Sequence, residues 1–207
     1  MEEYLTLRRG AQAGFTERRS RFVGAAKPVG TEEEAADFIR AVRAGNRDAR
    51  HNAFAFLLRG GRTARCSDDG EPQGTAGVPI LNVLRKAAVA DAAVVVTRYF
   101  GGVLLGAGGL VRAYSHAASL ALSAAGTVRM GACFTAKLRC GYGRYGAVLP
   151  LIAKHGGGVD GVSYSGRVEI CFHIPCGTAA AFQAALADAT CGECRASLEG
   201  KTFYALS

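Results

Sequence analysis

Val94-Val95-Val96-Thr97-Arg98-Tyr99-Phe100-Gly101-Gly102-Val103-Leu104-Leu105-Gly106-Ala107-Gly108-Gly109-Leu110-Val111-Arg112-Ala113-Tyr114-Ser115 is the most specific stretch of this sequence. A β-branched apolar run closes at Arg98-Tyr99-Phe100, five glycines follow (101, 102, 106, 108 and 109), and a helical pattern opens at Leu110 and continues to Leu122. The pattern reads as strand, flexible loop and helix.

Glycines at this density permit positive φ and bring main-chain amides close to a neighbour that a Cβ would hold away. A helix start beyond Gly109 offers free N–H groups and a partial positive charge. Arg98 and Arg112 flank it, so the expected chemistry is anion capture by Arg98, Tyr99, Gly101, Gly102, Gly106, Gly108, Gly109 and Arg112. Two familiar phosphate loops do not fit. Ala107 follows Gly106 where a Walker loop needs lysine, and Val111 stands at the third glycine position of a dinucleotide fingerprint. The competing reading is tight packing of a helix on its sheet, with Leu104, Leu105 and Leu110 in the core.

Working outward, residues 15–29 contain a basic strand-like run, Arg18-Arg19-Ser20-Arg21-Phe22-Val23. Thr31 and Glu34 form a capping box before Ala35, Phe38, Ile39 and Val42 at helical spacing, and Gly45 closes that helix. Residues 52–58 read as a strand, Gly60-Gly61 as its turn, and residues 62–66 as the return. Pro79 suits the first turn of a helix carrying Ile80, Leu81, Val83 and Leu84, and the helix opened at Leu110 ends near Gly126. Composition shifts near 128–132, which divides the chain into domains 1–130 and 131–207. The second reads strand, helix, strand, strand, helix, strand, a ferredoxin-like βαββαβ plan, so the fold class is α+β.

At 207 residues, with 49% hydrophobic and 20% charged residues, the chain has the composition of a globular protein with real cores. No apolar run of about 18 residues spans a membrane, and the acidic opening Met1-Glu2-Glu3-Tyr4 lacks signal-peptide character. A cytoplasmic protein with no membrane association is expected. Seven cysteines, scattered and odd in number, are expected to be reduced thiols. The formal charge is +8 with pI near 9.3, and residues 1–130 hold 18 Lys and Arg against 12 Asp and Glu. That excess favours polyanionic partners such as RNA, although heavy Arg, Ala and Gly usage also follows from nucleotide composition.

Asp68, Asp69 and Glu71 set three carboxylates within four residues of a turn, a pattern suited to acid/base work or a hard cation. The spacing matches no calcium loop, and Asp-Gly and Glu-Pro are ordinary turn formers. The reading preferred for these acids is internal: Asp68 or Asp69 orients Arg98 or Arg112 through an ion pair. His51 and Asn52 open a strand, and His116 lies one turn beyond Arg112. Cys171, Cys176, Cys191 and Cys194 do not form a zinc quartet, because Cys176 and Cys191 bracket a helix and lie roughly 20 Å apart. No metal or cofactor is expected.

With Ser20-Arg21-Phe22, His51-Asn52-Ala53-Phe54-Ala55, Ser67-Asp68-Asp69-Gly70-Glu71-Pro72-Gln73-Gly74-Thr75-Ala76-Gly77 and residues 98–115 in view, the sequence resembles the YigZ/IMPACT family. The resemblance covers residues 15–125 by motif and the remainder by plan. It implies an N-terminal domain with the fold of the second domain of a small-subunit ribosomal protein, seen also in elongation factor G domain IV. It further implies a ferredoxin-like C-terminal domain similar to the last domain of that factor. Eukaryotic relatives restrain the amino-acid-starvation kinase by competing for its activator, and bacterial relatives have been proposed to bind nucleic acid or the ribosome. Cys66 departs from the aromatic residue frequent at its position, and the eukaryotic partner-binding domain is not in this sequence.

Three functions follow as expectations. The first is a translation-associated regulator binding RNA or the ribosome, with Arg18, Arg19, Arg21, Arg98 and Arg112 on phosphates. The second is an enzyme acting on a small phosphorylated or anionic substrate, with Asp68, Asp69 or Glu71 in catalysis. The third is a regulator acting through a protein partner in translation control.

Overall fold

A computed structural model describes residues 3–59 and 63–206. The chain forms two compact units that divide between Val128 and Arg129, inside a strand, with Glu3 joining the second. The turn expected at Gly60-Gly61 and Arg62 lies outside the described residues.

From Tyr4 onward the first unit holds the rest of β1 (Glu3–Leu7), then β2 (Ala11–Glu17), β3 (Ser20–Pro28), α1 (Glu32–Gly45), β4 (His51–Leu57), β5 (Ala64–Ser67), α2 (Gly77–Lys86), β6 (Ala92–Tyr99) and α3 (Gly106–Ala125). Its sheet has the order β2-β3-β6-β4-β5, and every neighbouring pair is antiparallel. Helices cover both faces. Ile39 and Val42 of α1 pack with Ala25, Phe56, Ala93 and Val95, while Ile80 and Leu84 of α2 and the stripe of α3 pack with Phe22, Val94 and Val96. The central strand β6 is therefore buried from Ala92 to Arg98, which is why its sequence runs apolar without a break from Ala92 to Val96 where a half-exposed strand would alternate.

Thr31 caps α1 by accepting from the Glu34 amide at 3.2 Å. The Glu34 carboxylate reaches back to the Gly30 amide at 2.7 Å, one residue earlier than a reciprocal capping box requires. The buried positions of α3, Leu110, Ala113, Tyr114, Ala117, Ala118, Ala121, Leu122 and Ala125, follow helical spacing, and Gly126 ends the helix at φ 65°. Small residues bring α3 down on the sheet: a Cβ at Gly24 would lie 2.4 Å from the Ala117 carbonyl oxygen.

Two sequence expectations change here. The strand-like run expected at residues 18–23 is divided: Arg18-Arg19 turn between β2 and β3, with Glu17 paired to Ser20, and only residues 20–23 lie in β3. The helix expected from Leu110 starts four residues earlier, at Gly106.

The second unit runs β7 (Thr127–Cys140), α4 (Tyr142–Lys154), β8 (Gly158–Tyr164), β9 (Val168–Pro175), α5 (Ala179–Thr190) and β10 (Ala196–Ala205). Its strands are ordered β10-β7-β9-β8, all antiparallel, which is the ferredoxin-like arrangement expected. Leu138, Ile152, Ile170, Phe172, Phe182 and Leu186 fill its core.

Candidate functional site

The acidic turn between β5 and α2 is built by its own carboxylates. Asp68 accepts from the amides of Gly74 at 2.8 Å, Ala76 at 2.9 Å and Gly77 at 2.8 Å. It thereby closes the turn and satisfies the start of α2, whose first turn holds no acid of its own. Desolvation pushes the Asp68 carboxyl up, but the three amide bonds together outweigh it and hold the group below its ordinary value. Asp69, in the left-handed region at φ 48°, bonds Arg43 Nη2 at 2.6 Å and accepts the Asn52 amide at 2.6 Å. Its carbonyl accepts from His51 Nδ1 at 2.9 Å, which sets the His51 ring and leaves Nε2 away from that bond. Asn52 in turn accepts from the Thr97 hydroxyl at 2.7 Å, a buried bond between β4 and β6.

Glu71 holds the centre. Its Oε1 accepts from Arg98 Nη1 at 2.8 Å and from the Tyr114 hydroxyl at 2.8 Å, and all three side chains are buried. The Arg98 guanidinium lies 5.6 Å from the Phe22 ring centroid and 5.3 Å from that of Phe100. Among the described residues Arg98 Nε is buried with no hydrogen-bond partner, a state that costs about 1–3 kcal/mol when nothing fills it. Burial first, and the adjacent Glu71 charge second, push the Tyr114 phenol well above its ordinary value. The expectation that Asp68 or Asp69 orients Arg98 or Arg112 is therefore corrected: Glu71 orients Arg98, and Asp68 and Asp69 organise backbone. Tyr114 has the spacing of a core position, which hides its role. The available signal was its hydroxyl, since a buried phenol requires a partner.

The glycine loop divides into positions with different roles. A Cβ at Gly101 would fall 2.1 Å from the Arg19 carbonyl carbon, and the Gly101 amide donates to Ser20 Oγ at 3.2 Å, so this glycine seats the β2–β3 turn. Gly106, Gly108 and Gly109 belong to the first turn of α3, which has neither a side-chain cap nor an acid. Tyr99 donates to Asn46 Oδ1 at 2.6 Å and lies under Arg21, 5.8 Å from centroid to guanidinium, bracing β6 against the end of α1. Gly102 lies at φ 83° with open space around it. Leu104 is not core: it is 81% exposed.

The acidic turn and the glycine loop meet, as expected, around a cavity of about 390 Å³ lined by His51, Glu71, Arg98, Phe100, Leu104 and Ala107 among others. Arg112 is not in it. Together with Arg18, Glu17 and His116, Arg112 lines a second cavity of about 260 Å³, and Leu105 borders both. The anion site expected to hold Arg98 and Arg112 together is thus divided between two spaces. In one, the Arg98 charge is matched by Glu71 and the walls are largely apolar. In the other, Arg18 and Arg112 form no ion pair or hydrogen bond among the described residues, and neither does Arg19 at the adjoining turn. Arg18 and Arg19 both have left-handed backbone, φ 44° and 66°.

The fold and site define an α+β protein of two units, whose first unit carries an internal carboxylate–arginine–tyrosine network beneath a glycine-rich helix start. Residues 18–122 match the Impact N-terminal domain, and residues 138–193 match a domain of unknown function, DUF1949. The chain is 35% identical over 174 residues to IMPACT family member YigZ of Escherichia coli, covering 83% of this chain and 85% of that one. It is 31% identical over 196 residues to an IMPACT family member of Haemophilus influenzae, covering 93% and 95%. IMPACT family member YvyE of Bacillus subtilis is 41% identical over 129 residues, 62% of this chain and 59% of YvyE, so that match spans less than two thirds of the relative. A crystal structure titled as that of a hypothetical protein aligns with TM-score 0.64 and 32% identity over 97% of this chain and 98% of its own. The chain belongs to the YigZ/IMPACT family. Among the described residues no helix is long and apolar enough to cross a membrane.

Proposed function

We propose that this chain is a cytoplasmic regulator of translation that binds RNA, free or within the ribosome, through Arg18, Arg19, Arg21 and Arg112. The observation that carries this reading is the convergence of Arg18 and Arg112 on one cavity without a neutralising ion pair among the described residues. Arg19 adjoins Arg18 at the turn, and Arg21 follows it in β3, exposed over Tyr99. Unpaired guanidinium groups neutralise phosphates and release counterions, the main source of affinity for a nucleic-acid backbone. Two non-glycine residues held left-handed at the turn also favour a functional reading, because such backbone persists where the surroundings impose it. Arg98 contributes indirectly: Glu71 engages it, and it shapes the loop without reaching an RNA phosphate. Asp68, Asp69 and Glu71 each accept bonds from this chain's own groups, which favours binding over acid/base catalysis.

Co-sedimentation with ribosomes and filter binding of RNA, each at low and at higher salt, test the reading. Binding that weakens steeply as salt rises is the expected result. Absence of both complexes at low salt removes it.

A further inference from the structure

The cavity between the Glu71-Pro72 turn and residues 100–107 has no part in the RNA reading, and three features of it point to a ligand. First, Gly106 and Ala107 line it at the start of a 20-residue helix that has no side-chain cap and no acid in its first turn. The first amides of that helix lack intrahelical acceptors and carry the positive end of its dipole. Second, Arg98 lines the same space, is 5% exposed, and keeps its Nε without a partner. Buried donors are paired in the great majority of cases, and Glu71 already serves Nη1. Third, apart from His51 and Glu71, whose charge Arg98 matches, the remaining walls are apolar, and two of them stand open to solvent, Phe100 at 45% and Leu104 at 81%. Arg50 adds a cation at the rim.

We propose that this cavity binds a small organic oxyanion, a carboxylate or phosphate carried on an apolar or aromatic body. The head group lies at the start of α3 beside the Arg98 side chain, and the body covers Phe100 and Leu104. An inorganic anion leaves those two side chains in water, and a neutral apolar molecule leaves the Arg98 donor and the helix amides unmatched. The cavity volume of about 390 Å³ falls within the range of small-molecule sites.

An NMR titration of the full chain with four probes tests this: phenylacetate, phenyl phosphate, inorganic phosphate and benzyl alcohol. Phenylacetate or phenyl phosphate is expected to shift the amides of Gly106, Ala107 and Gly108 and the Arg98 Nε–H saturably, and the stronger of the two identifies the head group. Inorganic phosphate and benzyl alcohol are expected to bind at least about tenfold more weakly. Leu104→Ala and Arg50→Ala, both at exposed positions, are expected to weaken the better probe by about tenfold each. The proposal is overturned if neither organic anion saturates these resonances, if inorganic phosphate binds as tightly as phenyl phosphate, or if both variants bind like the parent. Each of these results leaves the RNA reading untouched, because Arg18, Arg19, Arg21 and Arg112 do not line this cavity.

Discussion

One oxygen of Glu71 serves both a guanidinium and a phenol, and both partners are buried. Removing that carboxylate strands a buried positive charge, so Glu71→Ala is expected to lose about 3–5 kcal/mol in denaturant unfolding. The double variant Glu71→Leu with Arg98→Met removes both charges together and is expected to lose much less, because nothing charged is left unpaired. Asp68 acts on a different partner set and makes a pH prediction. Its folded-state carboxyl lies below the ordinary value of 3.8, so between the two pKa values the unfolded chain binds more protons. The stabilisation it gives is complete above about pH 4 and is lost as pH falls through the folded value. Asp68→Asn should therefore show a shallower decline of stability over that acid window, measured by unfolding at successive pH values, and an equal decline would remove the assignment. The three acids were visible as a group in the sequence, but their division of labour was not. It depends on which carboxylate the turn points at the Gly74–Gly77 amides and which it points inward, and a spacing of one or two residues does not encode that.

The β2–β3 hairpin turns through Arg18-Arg19 with both residues left-handed, where asparagine and glycine are the usual occupants. Left-handed backbone costs roughly 1–2 kcal/mol for an ordinary residue. Replacing Arg18-Arg19 by Asn-Gly is therefore expected to stabilise the protein by about 1 kcal/mol or more while weakening RNA binding, read by thermal unfolding and filter binding on the same sample. A stability gain with RNA affinity unchanged would show that the turn arginines serve no phosphate. The same chemistry explains what was legible among the elements. Helix α1 could be bounded because Thr31 and Glu34 are capping residues. Helix α3 starts at Leu105 and Gly106 with no serine, threonine, aspartate or asparagine to mark it, so its first turn passed for loop. The hairpin was hidden for the corresponding reason: a turn made of two arginines carries none of the residues that signal one.

Across the whole molecule, the fold class was legible because β6 is apolar on both faces and because the order of elements after residue 131 suits a ferredoxin-like sheet. The two-cavity layout was not, since it follows from register: His51 and Phe22 both pair with Arg98, and Arg21 pairs with Tyr99, contacts that no local pattern contains. Charge shows the same dependence on placement. In the second unit Lys137, Arg139 and Arg144 are matched by Glu199, Glu169 and Glu193 at 3.2, 2.5 and 3.1 Å, whereas among the described residues Arg18, Arg19 and Arg112 in the first have no such partner. Two triple alanine variants, one at each set of three cations, lower the formal charge of +8 by the same three units. If net charge alone drives RNA binding, both weaken it equally. If the unpaired cluster drives it, only the Arg18, Arg19 and Arg112 variant loses affinity, and the slope of log affinity against log salt falls by roughly 2, at about 0.7 per single-strand phosphate contact. The Lys137, Arg139 and Arg144 variant should keep the parent slope, because those cations already have carboxylates to neutralise and hold no phosphate.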